Sequence, residues 1–205
     1  MTKNELRYQG TELQLMDAFS QAIRQRPLDR ITVTGLVAQA GISKAAFYRH
    51  YRDIQDLAET FAADYALDQV ESMADLSAGL RDPYTFAISF AADLRADGVG
   101  TALVGNGLAR PYLDELADDF IERLTAEGLL PQIAGSEGAG VPAGNEDAES
   151  AAEDAALRFR MAVRFAFQGM AALALRYPDY PDEYAQVAAA FLRAVPPWRP
   201  DVNRP

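Results

Sequence analysis

Apolar residues recur at intervals of three and four positions along most of the chain, and no stretch alternates steadily between apolar and polar residues. This is the period of an α-helix, in which residues three and four apart share a face. The first such face consists of Leu13, Met16, Phe19 and Ile23, and Pro27 ends it. The pattern predicts an all-α protein of about nine helices, with the three short ones first.

Capping residues predict where these helices begin and end. Thr11 with Gln14 forms a capping box that opens a helix to about residue 24. Gly41, which tolerates a left-handed turn, closes the second helix. The second, third and fourth helices follow the N-cap candidates Thr32, Ser43 and Asp53, and the fourth is predicted to run to about residue 76.

The second half of the chain has similar signals. Asp82-Pro83 predicts a helix to about residue 96, and the glycine-rich residues 98–111 predict a loop or a short, poorly formed helix. Pro111 is expected to start another helix, and residues 135–150 lack periodicity and predict a flexible loop. The last two helices are expected to span about 150–176, after a second capping box, and about 182–195.

Charge is distributed unevenly. The whole chain carries a formal charge of −11, yet residues 24–52 hold six Lys and Arg against the single acid Asp29. A local basic face on an acidic protein favours binding of a polyanion at that face, although an ordinary solvated basic face would explain the charge alone equally well. The chain has no cysteine, no apolar leader and no apolar run long enough to span a bilayer, so we expect a cytoplasmic protein without membrane contact.

The basic region contains the spacing of a helix-turn-helix. Two short helices joined by Ala40-Gly41-Ile42 are expected to pack through Ile31, Leu36, Ile42 and Phe47 against the first helix. That packing leaves polar and small side chains of the third helix outward, where they could enter a DNA major groove. The candidate DNA-binding residues are Thr32, Thr34, Ser43, Lys44, Ala45, Ala46, Tyr48, Arg49, His50 and Arg52.

The segment ITVTGLVAQAGISKAAFYRHYRDIQDLAETF, residues 31–61, resembles the DNA-binding domain of the TetR family of bacterial regulators. With the first helix the resemblance covers about residues 8–61. It implies a DNA-binding domain over 1–57, with its motif at 32–51, and an effector-binding and dimerisation domain over 58–205. It also implies that Thr32, Lys44, Tyr48 and His50 lie at the DNA interface.

The segment departs from the family at a few positions. The lysine usual at the start of the fourth helix is Ile54, and Arg52 or Arg49 could supply that phosphate contact instead. The frequent Gly-Thr pair of the recognition helix is Ala45-Ala46, which indicates a different operator preference.

His50 is the only histidine, and no cysteine or carboxylate pair completes a site around it. We therefore expect no catalytic residues, no metal, no cofactor and no enzymatic activity. Two roles for His50 stay open: a contact with the DNA backbone, or a capping or packing role at the end of the third helix.

Residues 159–175 are apolar nearly all round, which predicts a helix buried on opposite faces. Its own domain would cover one face and a second copy of the chain the other, although a central helix of a monomeric bundle is an alternative. The candidate dimer interface consists of Phe159, Val163, Phe167, Met170, Ala171, Ala174, Val187 and Phe191.

Aromatic residues with a few polar groups could line a cavity for a small-molecule effector. The candidates are Tyr65, Phe86, Phe90, Asn106, Tyr112, Phe120, Phe165 and Gln168. Together these expectations describe a ligand-responsive transcriptional regulator, most simply a repressor, that binds a near-palindromic operator in double-stranded DNA as a homodimer. The alternatives are a transcriptional activator and a protein–protein interaction module that keeps the fold.

Overall fold

A computed structural model of the chain describes residues 3–73, 75–129 and 146–194, and the side chains of all of these except 3–7, 146–153 and 155. None of the described residues forms a strand. The all-α prediction is confirmed. The helices are α1 (Lys3–Gln25), α2 (Val33–Ala40), α3 (Lys44–His50), α4 (Ile54–Ser72), α5 (Leu76–Arg81), α6 (Pro83–Ala96), α7 (Val99–Leu103), α8 (Ala109–Ala126), α9 (Glu146–Arg176) and α10 (Pro181–Leu192).

The backbone divides into two compact units. Unit 1 comprises residues 1–66 and 94–112, and unit 2 comprises residues 67–93 and 113–205. In unit 1, α1 packs against α2, α3 and α7, and in unit 2 α9 packs against α10. These are units of backbone packing, and the functional division between 1–57 and 58–205 stays a prediction.

The first helix begins earlier than predicted. It starts at Lys3, so the capping-box pair Thr11 and Gln14 lies inside the helix and does not open it. The side chains of Phe19 and Ile23 are buried as expected, whereas Leu13 is 70% exposed. Leu15 instead lies inside with Ala18 and Ala22, so the buried stripe is turned from the predicted one toward these three residues and still includes Phe19 and Ile23.

Four predicted helix starts and ends are confirmed by their capping bonds or by the helix bounds. The Oγ1 of Thr32 accepts from the Gly35 N–H at 3.2 Å, and Asp53 Oδ1 accepts from the Asp56 N–H at 2.9 Å. Helix α6 runs from Pro83 to residue 96 as expected. Helix α4 ends at Ser72, four residues before the predicted end, and α5 is an additional short helix whose N-cap is Asp75.

The glycine-rich residues 98–111 are mostly helical and do not form a loop. After α7 the chain continues through a π-helical segment, Val104–Leu108, directly into α8. A kink lies inside that segment, where Asn106 has φ −102° and Gly107 has φ 81°. Pro111 lies four residues after Gly107 and has no N–H to bond that carbonyl, which explains why the regular ladder is interrupted there.

The last two helices begin before their predicted starts. Helix α9 starts at Glu146, ahead of the predicted cap at Ser150, so residues 146–150 of the predicted flexible loop are helical. The rest of that loop and Val195 lie outside the described residues. Helix α10 starts at Pro181, one residue early, with proline at the first helical position. No helix within the described ranges is long and apolar enough to cross a membrane.

Candidate nucleic-acid interface

The turn between α2 and α3 is built by local chemistry. Gly41 adopts φ 69°, a left-handed conformation that glycine takes without steric cost, and its N–H bonds the Val37 carbonyl. Two residues later Ser43 Oγ accepts from the Ala46 N–H at 3.1 Å and starts α3. The turn and the two caps together orient α3 relative to α2 as in a helix-turn-helix.

One side of α3 belongs to the core of unit 1. Phe47 is fully buried and Tyr51 is 5% exposed, with their ring centroids 5.9 Å apart. Ile31 and Leu36 are buried as predicted, while Ile42 is half-buried. This packing leaves one definite outer face on the helix.

That outer face holds a lysine, an arginine and a tyrosine. Lys44, Ala45, Tyr48 and Arg49 are all exposed, and they lie along one side of the helix because successive residues step by about 100°. Tyr48 is 58% exposed, and its ring rests edge-on against Phe47 at 5.3 Å between centroids. This contact holds the phenol at the surface and restricts the rotation of the Tyr48 side chain.

Three hydroxyl side chains of the predicted set are also exposed: Thr32, Thr34 and Ser43. Because Thr32 and Ser43 accept the capping bonds with their oxygens, their O–H groups remain able to donate outward. Exposed cations and hydroxyl donors are suited to bind phosphate oxygens. We call these exposed residues, together with the outer face of α3, the recognition surface.

Ala46 does not belong to the recognition surface. It is 7% exposed, next to Phe47 on the inner side of α3. Ala46 therefore does not contribute to the outer face of α3, and its predicted contact with DNA stays a prediction.

Arg52 is exposed but engaged. The Arg52 guanidinium donates two hydrogen bonds to Asp56 Oδ1, at 2.7 and 3.2 Å. The backbone N–H of Arg52 donates a third to Asp56 Oδ2 at 2.9 Å. These bonds lower the pKa of the Asp56 carboxyl and raise that of Arg52. A phosphate contact by Arg52 would first have to displace Asp56.

His50 packs under a tyrosine that the predictions missed. The Tyr8 ring stacks on the imidazole with 3.8 Å between centroids and 26° between planes. Both ring nitrogens are covered and, within the described part of the chain, have no hydrogen-bond partner. Burial lowers the pKa of His50, an effect that Glu12 opposes and Arg49 reinforces. The stack agrees with the packing role that was one of the two alternatives for His50, and a contact of His50 with the DNA backbone stays a prediction.

Tyr8 could have been found by extending the first helix. It precedes Leu15 by seven residues and Phe19 by eleven, spacings that place all three on one face. The capping-box pattern at Thr11 hid it, because it suggested that the helix began after Tyr8.

The structure distributes the predicted effector residues between the two units. In unit 1, the Tyr65 hydroxyl donates to Asp97 Oδ1 at 3.0 Å, and its ring contacts Tyr112 at 5.6 Å. Asn106 joins two backbone segments: it accepts from the Leu28 N–H at 2.7 Å and donates to the Ala102 carbonyl at 2.8 Å.

The other five belong to unit 2. Phe86, Phe90 and Phe120 are buried in a cluster of rings around Phe167. Phe165 is 64% exposed, and Gln168 is exposed and donates to Asp114 at 2.9 Å. A common effector pocket formed by the eight residues stays a prediction. A cavity of about 430 Å³ in unit 2 is lined by different residues: Leu173, Tyr177, Tyr180, Glu183, Tyr184 and Val187.

Burial also corrects the choice of dimer residues. Six of the eight lie in the core of their own chain, each at most 6% exposed: Phe159, Val163, Phe167, Met170, Ala171 and Ala174. Val187 and Phe191 are exposed, at 58% and 39%. The second apolar face of α9 consists instead of Leu157, Met161 and Phe165, each about 60% exposed. No group of His, Asp and Glu suited to a metal ion occurs among the described residues.

A comparison with known families identifies the region that contains this surface. Residues 15–60 match the sequence model of the family described as bacterial regulatory proteins, tetR family. Residues 15–60 are thus similar to a TetR-family domain. The match includes α2, α3 and the turn between them, so the resemblance seen in the sequence is confirmed for this part of the chain.

Two further comparisons concern the whole chain. The crystal structure of the TetR family repressor AlkX from Dietzia sp. strain DQ12-45-1b is similar at 18% identity and a TM-score of 0.37, over 90% of this chain and 96% of that one. Its title describes AlkX as implicated in biodegradation of n-alkanes. No curated protein matches the chain.

Proposed function

We propose that the protein is a transcriptional regulator that binds double-stranded DNA through the recognition surface. The observation that carries the proposal is the exposed side of α3, where Lys44, Tyr48 and Arg49 all reach the surface, together with the exposed cap hydroxyls of Thr32 and Ser43. Cations and hydroxyls bind phosphates and set the register, while Lys44 and the methyl group of Ala45 can reach base edges. A protein with this function acts in the cytoplasm of a bacterium, where the DNA is.

The proposal includes a homodimer formed by the exposed apolar side chains of α9 and α10. Leu157, Met161 and Phe165 recur every four residues on α9, and the Phe165 ring contacts the Phe191 ring of α10 at 5.5 Å. Large apolar side chains clustered in water mark an interaction surface. A two-fold axis through this surface would present two recognition helices to the two halves of a near-palindromic operator.

A small effector would control the dimer from the cavity in unit 2. Three tyrosines and Glu183 line that cavity, which is large enough for a small molecule. Val187 lines the cavity and also belongs to the exposed apolar side chains proposed for the dimer. A ligand there would favour one dimer geometry to the extent that it binds that geometry more tightly, and repression would end where the recognition helices no longer fit.

Fluorescence anisotropy with a labelled duplex from the region upstream of the protein's own gene tests DNA binding. Affinity should fall steeply as salt rises, because each phosphate contact releases counterions. Lys44→Ala should change the preference among base substitutions if Lys44 reads a base, whereas Tyr48→Phe should weaken all duplexes alike. Arg158→Ala is the matched control, since it removes one exposed cation from unit 2. Binding that does not depend on salt, or that Lys44→Ala and Arg158→Ala change equally, would contradict the proposal.

A further inference from the structure

A groove of about 790 Å³ runs beside the recognition surface in unit 1. The first half of α1 forms one wall with Tyr8, Gly10, Thr11 and Gln14. The other wall and the floor come from the turn before α3 and from α3 itself. The sequence assigns no role to this groove, and the residues of its α1 wall are outside the predicted DNA-binding set.

The stacked pair of Tyr8 and His50 holds the groove in shape. The two rings join α1 to the end of α3 at 3.8 Å between centroids. Tyr51, next in the chain, donates from its hydroxyl to Glu12 of α1 at 3.5 Å, a second link between the same elements. The stacked rings and this hydrogen bond therefore hold the first half of α1 against the end of α3, and they fix the position of the two walls of the groove.

The lining has the chemistry of a site for an anionic chain. Tyr8, Thr11, Gln14 and Ser43 supply hydroxyl and amide groups, and Arg49 supplies a positive charge. None of the residues that line the groove in the described part of the chain is acidic. Hydroxyls, amides and a guanidinium bind phosphate oxygens.

The floor explains the position of Ala46. Ile42 and Ala46 present apolar carbon to the groove, which suits the sugar carbons between two phosphates. Ser43 and Arg49 belong both to the groove and to the recognition surface, so one surface continues into the other. A strand whose bases lie against α3 would pass its backbone along this groove.

We propose that the groove between α1 and α3 binds the sugar-phosphate backbone of DNA, with Tyr8, Thr11 and Gln14 as additional backbone contacts. The inference rests on the proposed DNA-binding function and adds α1 to it. It also assigns His50 an indirect role, because the imidazole positions the Tyr8 wall and touches no phosphate.

Gly10 allows a direct test, because a Cβ built there meets nothing within 4 Å. Gly10→Lys should strengthen binding to a labelled duplex and Gly10→Glu should weaken it, each by about tenfold at low salt, because the added charge lies beside a phosphate. Gly10→Lys should also steepen the salt dependence by about one released counterion. Both effects should be equal for the upstream duplex and for a random-sequence duplex, since a backbone contact carries no sequence information.

Ala96 provides the matched control. It is exposed at the end of α6 in the same unit, does not line the groove and does not belong to the recognition surface, so Ala96→Lys and Ala96→Glu add the same charges elsewhere. Thermal melting of Gly10→Ala, followed by circular dichroism, should show that the helix tolerates a side chain at position 10. Equal responses at Gly10 and Ala96 would overturn the groove proposal while leaving DNA binding intact. Salt-independent binding of the unaltered protein would instead overturn the proposed function.

Discussion

Replacing Asn106 with alanine should destabilise unit 1 by about 2 to 3 kcal/mol. The Asn106 side chain accepts from the Leu28 N–H at 2.7 Å and donates to the Ala102 carbonyl at 2.8 Å. A hydrogen bond in a folded protein contributes about 1 kcal/mol net, and a half-buried donor left without a partner adds to the loss. Asn106 thus joins the kink before α8 to the turn that precedes α2.

Urea unfolding followed by far-UV circular dichroism measures the loss for Asn106→Ala. Asn106→Asp keeps the acceptor for Leu28 but removes the donor to Ala102, so its stability should lie between those of Asn106→Ala and the unaltered protein. Gly105→Ala is the control: it changes the neighbouring exposed position, where an added Cβ meets nothing within 4 Å. It should leave stability unchanged or slightly higher, since alanine favours helix more than glycine does.

Hydrogen exchange at the Leu28 amide provides a local readout of the same bond. The exchange rate should rise in Asn106→Ala and stay near that of the unaltered protein in Asn106→Asp and Gly105→Ala. The reasoning is refuted if Asn106→Ala unfolds within about 0.5 kcal/mol of the unaltered protein and the Leu28 amide exchanges no faster.

Three further predictions concern the core, the imidazole and the dimer surface. Phe47→Ala removes a fully buried ring and should cost about 3 to 5 kcal/mol, so thermal melting should show unit 1 largely destabilised; a melting temperature close to the original would contradict the packing described for α3. Burial lowers the pKa of His50 below its ordinary 6.5, so the unfolded chain takes up the proton first as pH falls, and stability is lost from about pH 6.5 downward. The melting temperature of His50→Phe should therefore fall less than that of the unaltered protein between about pH 7.5 and about pH 5.5, and equal falls would show that His50 is not the titrating group. Phe165→Glu places a charge on a side chain that is 64% exposed, so the monomer should keep its fold while sedimentation shows at least a tenfold weaker dimer; an unchanged dimer would locate the interface elsewhere.

The starts and ends of several helices could be predicted from the sequence because capping depends on residues that are close in the chain. Thr32 and Ser43 each bond an N–H three residues ahead, and Gly41 takes its left-handed conformation within a single turn. The turn of the helix-turn-helix, and with it the outward positions of Lys44 and Tyr48, therefore followed from local chemistry. The same local reasoning gave a wrong helix start at Thr11, because a capping-box pattern there occurs inside a longer helix.

The roles of side chains at the borders of these faces were decided by tertiary packing. Ala46 and His50 lie one step of the helix away from the recognition surface, and only the position of α1 shows that one is nearly buried and the other covered by Tyr8. On α9 the periodicity showed two apolar faces but not which one is inside. Phe167 and Phe165 are equally apolar, and burial depends on the phenylalanines of α6 and α8 that surround Phe167. The sequence determined the helices and the recognition turn, because these depend on residues near in the chain; the tertiary structure decided which residues face the surface, because that depends on helices distant in the chain.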